Sequence, residues 1–418
     1  MDPARAEARR RRFLSQFIPA SDLPVLDPPL PDEAWDRVEA QGESFPRLSI
    51  ECWTARQRQA SSLHEISYRA CYKPQLPRHF IERLTRPGDR VYDPFSGRGT
   101  TALEAALLGR RVAANDVNPL ARLLAEPRLT PPEPAAVAGR LQAIPRAGTP
   151  DDLDLSMFFH PDTEAELRGL RDWCLAREAS GALDGVDAWI RMVATNRLTG
   201  HSPGFFSVYT LPPNQAVTAD KQRQLNDRRN QTPPYRDTHA LILRKTRQLL
   251  SDLDADQRRN LAVASRDAIF LTGDARAAAL PDASVQLSVT SPPFLDVVDY
   301  AGDNWLRCWF NGLDAAAIGR GLSTPRTLAA WSETMAGVFA ELFRVTRPGG
   351  FVAFEVGEIR GGRLRLDEAV LPLGLGAGFR AHGVLVNTQA FTKTAHIWGV
   401  DNHVKGTNSN RIVLFEKG

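Results

Sequence analysis

Residues 90–116 read "RVYDPFSGRGTTALEAALLGRRVAAND". The segment "RVYDPF" predicts a short strand, and "TTALEAALLG" predicts a helix stopped by Gly109. "RRVAAND" predicts a second strand. A strand, helix, strand unit is the signature of a parallel α/β sheet. Gly97 and Gly99 follow the first strand directly, and the helix opens at Thr100. Glycine permits positive φ and close approach of a ligand to the backbone. The N-terminus of a helix offers unpaired N–H groups to an anion. Asp116, 19 positions beyond Gly97, ends the second strand, where a carboxylate suits the hydroxyls of a ribose. These features predict a nucleoside cofactor. They do not make an NAD fingerprint, because Ala102 stands where a third glycine is expected, and no G-K-[ST] follows to make a P-loop.

Working outward, "HFIERLT" predicts a helix ended by Pro87-Gly88. Strand and turn signals return at "AIFLTGDA", "VQLSVTSPP" and "FVAFEVGE", and "GVLVNTQAFT" with "NRIVLFEKG" suits an antiparallel edge pair. Between about residues 125 and 260 the alternation fades. "DTEAELRGLRDWCLAREAS", "DAWIRMVATNRLTG" and "THALILRKTRQLLSDL" predict helices around an irregular stretch, 201–237. The expected layout has an N-terminal arm (1–55) and a cofactor-binding catalytic domain (56–124 and 261–418). A mostly helical insertion (125–260) interrupts that domain.

Composition bounds the function. A chain of 418 residues can bury a large core, and a net charge of +3 permits a polyanion partner without demanding one. There is no apolar run long enough to span a membrane, and the opening "MDPARAEARRRRFLSQF" lacks the apolar region of a secretory signal. Cys52, Cys71, Cys174 and Cys308 match neither a zinc pattern nor a disulfide framework. The expectation is a cytoplasmic, nucleoid-associated protein with reduced thiols and no metal.

A second motif lies in "SVQLSVTSPPF", residues 284–294. Two adjacent prolines cannot donate to a sheet ladder, so the strand must end there, with a hydroxyl before the corner and an aromatic ring after it. "DPFSGRGTT" together with "TSPPF" resembles the amino-group DNA methyltransferases, which methylate exocyclic nitrogens with S-adenosylmethionine. Their first motif is D-P-F-x-G-x-G-T and their catalytic motif [D/N/S]-P-P-[Y/F]. The resemblance covers roughly residues 64–120 and 265–418. It implies a Rossmann-like class I fold, with a seven-stranded, mostly parallel sheet and an antiparallel edge strand. It also implies catalytic roles for Ser291, Pro292, Pro293 and Phe294.

The chemistry fits such a corner. The lone pair of an exocyclic amino nitrogen is delocalised into its ring. Acceptors aimed at its N–H groups, the Pro292 carbonyl and the Ser291 hydroxyl, favour a pyramidal nitrogen. Phe294 offers a face for an extruded base. By the same resemblance Asp93, Pro94, Phe95, Ser96, Gly97, Gly99, Thr100, Thr101, Asp116 and Asn118 hold the cofactor. Tyr68, Lys73 and Pro74 close over its methionine end, and Asp274 and Ala275 lie near its adenine. His396, Trp398 and Lys405 fall in a late loop that lines the base pocket or is merely solvated.

Serine before the prolines is more typical of cytosine-N4 members, with adenine-N6 as the alternative. The expected partner is double-stranded DNA, with a cognate restriction endonuclease as a candidate and a monomer or homodimer as the assembly. The chain closes soon after "NRIVLFEKG", so base recognition is expected from the insertion or the arm. Residues 220–247 hold eight basic residues against three acidic ones. Lys221, Arg223, Arg228, Arg229 and Arg236 are the expected phosphate contacts. Gln222, Asn226, Gln231 and Asn214 are of types that read base edges. An RNA guanine-N2 methyltransferase and a non-catalytic methyltransferase-like subunit remain as other readings. Both motifs are intact, which disfavours the subunit.

Overall fold

The computed structural model describes residues 3–18, 32–52, 60–68, 71–211, 217–293, 300–321, 325, 327–359, 364–388 and 409–418. Its strands are β1 (Trp35–Ala40), β2 (Glu43–Ile50), β3 (Arg90–Asp93), β4 (Arg111–Asp116), β5 (Ile269–Thr272) and β6 (Val285–Thr290). They continue with β7 (Thr346–Val356), β8 (Glu358–Ile359), β9 (Leu364–Arg365), β10 (Arg380–Thr388) and β11 (Ser409–Glu416). Nine form one sheet in the order β1-β2-β10-β11-β7-β6-β3-β4-β5, and β8 with β9 makes a separate ribbon. β3 pairs in parallel with β4 and β6, as β4 does with β5 and β6 with β7.

The expected seven strands are present as β10 to β5 in that order, and the sheet is larger by two. Residues 35–50, expected within an arm, form a hairpin whose two-residue turn, Gln41-Gly42, has φ of 51° and 78°. β2 then pairs in parallel with β10, placing Arg47 opposite Val384. The hairpin buries Val38, Phe45 and Leu48, and this apolar set hides among the Pro, Arg and acidic residues around it. The expected antiparallel edge is present: the edge strand β1 runs antiparallel to β2, and β11 also runs antiparallel between β7 and β10.

The sheet is covered on both faces, as parallel sheets require. Successive residues of β3 point to opposite sides: Val91 joins one apolar cluster and Tyr92 the other. The first cluster takes in helices 75–84 and 100–107, and the second takes in helices 328–345 and 366–376. Every residue of β6 is buried, so its chain is pinned up to the corner.

Helices 161–179, 185–197 and 238–249 form as expected between β4 and β5. Their Leu167, Ile190 and Leu249 belong to the same apolar cluster as Val91, so the insertion shares the core of the sheet domain. The expected boundary at 260 falls inside helix 255–265, which docks on the sheet domain through Asn260 Nδ2 donating to the Leu107 carbonyl (2.9 Å). The stretch expected to be irregular contains a helix, Ala219–Arg229, capped by Thr218 and ended by Asn230 at φ 46°. Only Gln222 is buried along it, so it carries no apolar period by which sequence could reveal it.

Candidate active site

A cleft opens beyond the carboxyl ends of β3, β4, β5 and β6. There the chain order reverses about β3, the usual place for a ligand in a doubly wound sheet. Tyr68, Phe95, Ser96, Gly97, Thr100, Asp116, Asn118, Asp274, Ala275, Ser291 and Pro293 all line it. Residues far apart in sequence are therefore brought to one place.

The turn after β3 is built by backbone bonds. Ser96 N–H donates to the Asn115 carbonyl (2.9 Å), and Asn115 Nδ2 donates to the carbonyls of Pro94 (3.3 Å) and Gly273 (2.9 Å). Asn115 thus ties together the tips of β3, β4 and β5. Gly97 has φ 49°, and a side chain there would meet Tyr68 at an ordinary 3.5 Å. Gly99 is different. At φ 76°, a Cβ would lie 2.5 Å from Ala125 Cβ, so this glycine is required by the close packing of helix 120–125.

Asp116 accepts from Gly97 N–H (2.8 Å) through one oxygen and from Asn118 N–H (2.9 Å) through the other. Burial pushes its carboxyl up to about 6, against those two bonds. Asn118 Oδ1 accepts from Leu120 N–H (3.0 Å), while its Nδ2 is buried with no hydrogen-bond partner among the described residues. An acceptor carboxylate, an amide donor without a partner among the described residues and a half-buried glycine turn meet in one cleft. That set fits a ribose diol and a purine edge. Phe95, Val117, Met335 and Val338 supply the apolar walls. The Asp274 carboxylate also faces this space, and is itself held by Arg276 (2.6 Å).

Several residues expected to touch a cofactor stand behind the cleft. Asp93 is buried, accepting from Tyr72 Oη–H (2.8 Å), Thr290 Oγ1–H (2.6 Å) and Phe95 N–H (3.1 Å). Burial raises its carboxyl, and those bonds counter the rise. Thr101 is buried too, donating to the Val289 carbonyl (3.1 Å) and bonded to Tyr72. Their work is to lock β3, β6 and the 71–74 segment together. Lys73, Pro74, Pro94 and Gly99 do not line the cleft, and Pro74 instead starts helix 75–84.

At the corner, Ser291 and Pro293 face the cleft and Pro292 is buried. Ser291 adjoins Glu355 on the neighbouring β7, which accepts from Asn410 Nδ2 (2.9 Å). Burial raises the Glu355 carboxyl, opposed by Asn410 and Ser291. Trp331 Nε1–H donates to the Pro293 carbonyl (3.0 Å). Phe294, His396, Trp398, Lys405 and Asn214 lie outside the described residues.

Sequence reading missed Tyr72, Trp331, Met335, Val338 and Glu355. Trp331, Met335 and Val338 share one face of helix 328–345 at helical spacing, a signal that marks burial and not chemistry.

On helix 219–229, Lys221, Arg228 and Arg229 are exposed, and Arg229 stacks on Tyr209 with its guanidinium 4.0 Å from the ring centre. Arg223 is paired with Asp220 and Asp154 (2.8 Å each), and Arg236 is half-buried. The amides expected to read bases are engaged within the protein. Gln222 and Gln231 both donate to the Tyr209 carbonyl (3.1 and 3.0 Å), and Asn226 donates to the Met157 carbonyl (2.8 Å). Lys245, counted in the basic stretch, is buried against Glu65 (3.4 Å).

Residues 28–125, which carry the glycine turn and Asp116, match the DNA methylase family of N6 and N4 methyltransferases. The type II methyltransferase M.MvaI of Kocuria varians is 36% identical over 74 residues, 17% of this chain and 16% of that protein. M.MjaII of Methanocaldococcus jannaschii is also 36% identical, over 62 residues, 15% of this chain and 12% of its own length. The matched segments thus span under a fifth of these relatives.

Among solved structures, a DNA modification methylase from Thermus thermophilus aligns over 35% of this chain and 50% of its own, with 25% identity and a TM-score of 0.20. The rRNA methyltransferase aviRa from Streptomyces viridochromogenes aligns over 86% and 93%, with 13% identity and a TM-score of 0.33. Residues 28–125 are therefore similar to the N6 and N4 DNA methylases. Among the described residues no helix is long and apolar enough to cross a membrane.

Proposed function

We propose that this chain transfers a methyl group to the exocyclic N4 of cytosine in an extruded base of double-stranded DNA. The observation that carries this reading is the Ser291 corner, set across one cleft from Gly97, Asp116 and Asn118. S-adenosylmethionine, when bound, supplies an electrophilic methyl group.

The chain's own residues position and polarise. Asp116 and Asn118 orient the nucleoside, and Phe95 and the face of helix 328–345 exclude water. The Ser291 O–H points its hydrogen at the Glu355 carboxylate as a donor, which leaves the lone pairs of its oxygen for an amino N–H. Trp331 Nε1–H takes one lone pair of the Pro293 carbonyl, and the second acceptor is assigned to the Pro292 carbonyl on the resemblance of the motif. Two fixed acceptors draw the amino hydrogens out of the base plane and free the nitrogen lone pair. This is preorganised electrostatics and costs little reorganisation during the reaction. A neutral serine backed by a buried carboxylate suits cytosine N4, in keeping with the serine-type motif.

The exposed cations of helix 219–229 are assigned to DNA phosphates, and a cognate restriction endonuclease is a candidate partner of a monomer or homodimer. The test is to incubate the protein with DNA and radiolabelled S-adenosylmethionine, then digest the DNA to nucleosides. N4-methylcytosine is the expected product. N6-methyladenine would reassign the base, and no labelled nucleoside would reject the activity.

A further inference from the structure

Basic side chains converge at a second place, away from helix 219–229. Arg197, the last residue of helix 185–197, is buried, with its guanidinium 4.1 Å from the centre of the Phe205 ring. One of its terminal nitrogens donates to Asn196 Oδ1 (2.8 Å), but its Nε is buried with no hydrogen-bond partner among the described residues. Its charge is felt by Arg307, Arg244 and Lys245, and the carboxylate acting on it is Glu65. Glu65 is half-exposed and already engaged by Lys245 (3.4 Å) and Gln248 (2.5 Å). Asp303 acts on Arg307. Arg197, Arg244, Lys245 and Arg307 thus neighbour the carboxylates Glu65 and Asp303. Burial and this crowding bring Arg197 down to about 10 and Lys245 to about 8. Unbalanced positive charge in a low-dielectric site is costly unless an anion joins it.

The surroundings suit an oxyanion. Arg244 is exposed and donates a long bond, 3.4 Å, to the Pro203 carbonyl in the tight loop 200–209. The loop is closed at its base by Thr210 N–H donating to the Gly200 carbonyl (3.0 Å). The place also relates to chemistry. Arg307 lies 5.8 Å from the centre of the Tyr68 ring, which lines the cleft, and donates to the Ser67 carbonyl (3.2 Å). At the far end of the same loop, Tyr209 stacks on Arg229 of the basic helix. Loop 200–209 thus joins the cation cluster beside the cleft to the basic helix.

We propose that Arg197 and Arg244, with Lys245 and Arg307, form a phosphate site beside the cleft, on its Tyr68 side. In the complex it would hold the backbone phosphate next to the extruded nucleotide. The site rests on the DNA methyltransferase reading for its polynucleotide source, but not for its affinity for phosphate.

Two arms test it in the full chain. In the first, duplexes carrying a single neutral methylphosphonate at each position in turn are bound to the wild type, Arg244→Gln and Arg197→Lys. One position should weaken wild-type binding several-fold and have no further effect in Arg244→Gln. The salt slope of that variant should fall by about 0.9, the share of one phosphate. Arg197→Lys, which keeps charge but loses the guanidinium fork, should retain part of the effect. In the second arm, inorganic phosphate is titrated by calorimetry against the same proteins, with S-adenosylmethionine binding as the control for folding. Phosphate binding that Arg244→Gln abolishes, without any methylphosphonate effect, would assign the site to a free phosphate and not to DNA. No difference between wild type and Arg244→Gln in either arm overturns the site. A wild type that binds phosphate but never methylates DNA would reject the methyltransferase reading alone.

Discussion

Ser291, at the tip of β6, adjoins Glu355, a buried carboxylate on the adjacent strand β7, and favours its ionised form. Glu355 is held in turn by Asn410 Nδ2 (2.9 Å) on β11, so residues of three neighbouring strands meet at one carboxylate, and on the proposed mechanism that carboxylate orients the Ser291 hydroxyl. Glu355→Gln should disturb it, because an amide presents a donor as well as an acceptor. The hydroxyl can then turn its proton into the cleft. A charge-assisted bond of this kind is worth about 1.5–3 kcal/mol, so methyl transfer should slow about tenfold or more. The wild-type rate should also fall as pH drops and Glu355 takes up a proton, and that acid limb should be missing from the variant. Single-turnover rates across pH decide this.

Ser291→Ala should bind S-adenosylmethionine normally and transfer its methyl group ~10²–10³-fold more slowly, the usual cost of one preorganised polar contact. Full single-turnover activity in this variant would remove the corner from the chemistry.

On the proposed ribose role, Asp116 should link cofactor binding to pH. Its carboxyl is raised from 3.8 to about 6 in the folded chain, and the ionised form is the better acceptor for ribose hydroxyls. Affinity should therefore be highest above about pH 6 and fall below it, with proton release on binding near that value. Asp116→Ala should weaken binding by roughly 1.5–3 kcal/mol and abolish the release. Calorimetry in buffers of different ionisation enthalpy measures both, and an unchanged affinity would remove the ribose assignment.

The two glycines of the turn should behave differently. Gly99→Ala places a methyl group 2.5 Å from Ala125 Cβ at positive φ, and should cost stability by several degrees in Tm. Gly97→Ala meets only ordinary contacts, so it should carry just the left-handed strain of about 1–2 kcal/mol. Its larger effect should fall on cofactor affinity. Thermal unfolding with and without S-adenosylmethionine separates the two.

Reversing charge at Arg228 and Arg229 to Glu should weaken binding to every duplex. The slope of affinity against salt should flatten by near 0.9 for each phosphate that the variant no longer neutralises. An unchanged slope would move phosphate binding away from helix 219–229.

Sequence alone determined the strand, helix, strand unit around Gly97, the acid at Asp116 and the corner at Ser291-Pro292-Pro293. Each is local: glycine conformations, strand breaking by proline and a one-strand spacing are properties of a few consecutive residues. The same locality explains what it could not reach. The hairpin 35–50 is held by long-range pairing with β10, and its short apolar set is no stronger than the polar text around it. Helix 219–229 has no apolar face, and its amides spend their hydrogen bonds on the Tyr209 and Met157 carbonyls, which only the folded chain brings near. Asp93 and Thr101 belong to the motif by position, yet tertiary contacts with Tyr72 and Thr290 turn them from the ligand to the scaffold. Glu355, Asn410 and Trp331 come from three separate elements, and only the sheet order and the packing of helix 328–345 set them around Ser291 and Pro293. A side chain's role depends on its partners, and for these residues the partners are 38 to 55 positions away or more.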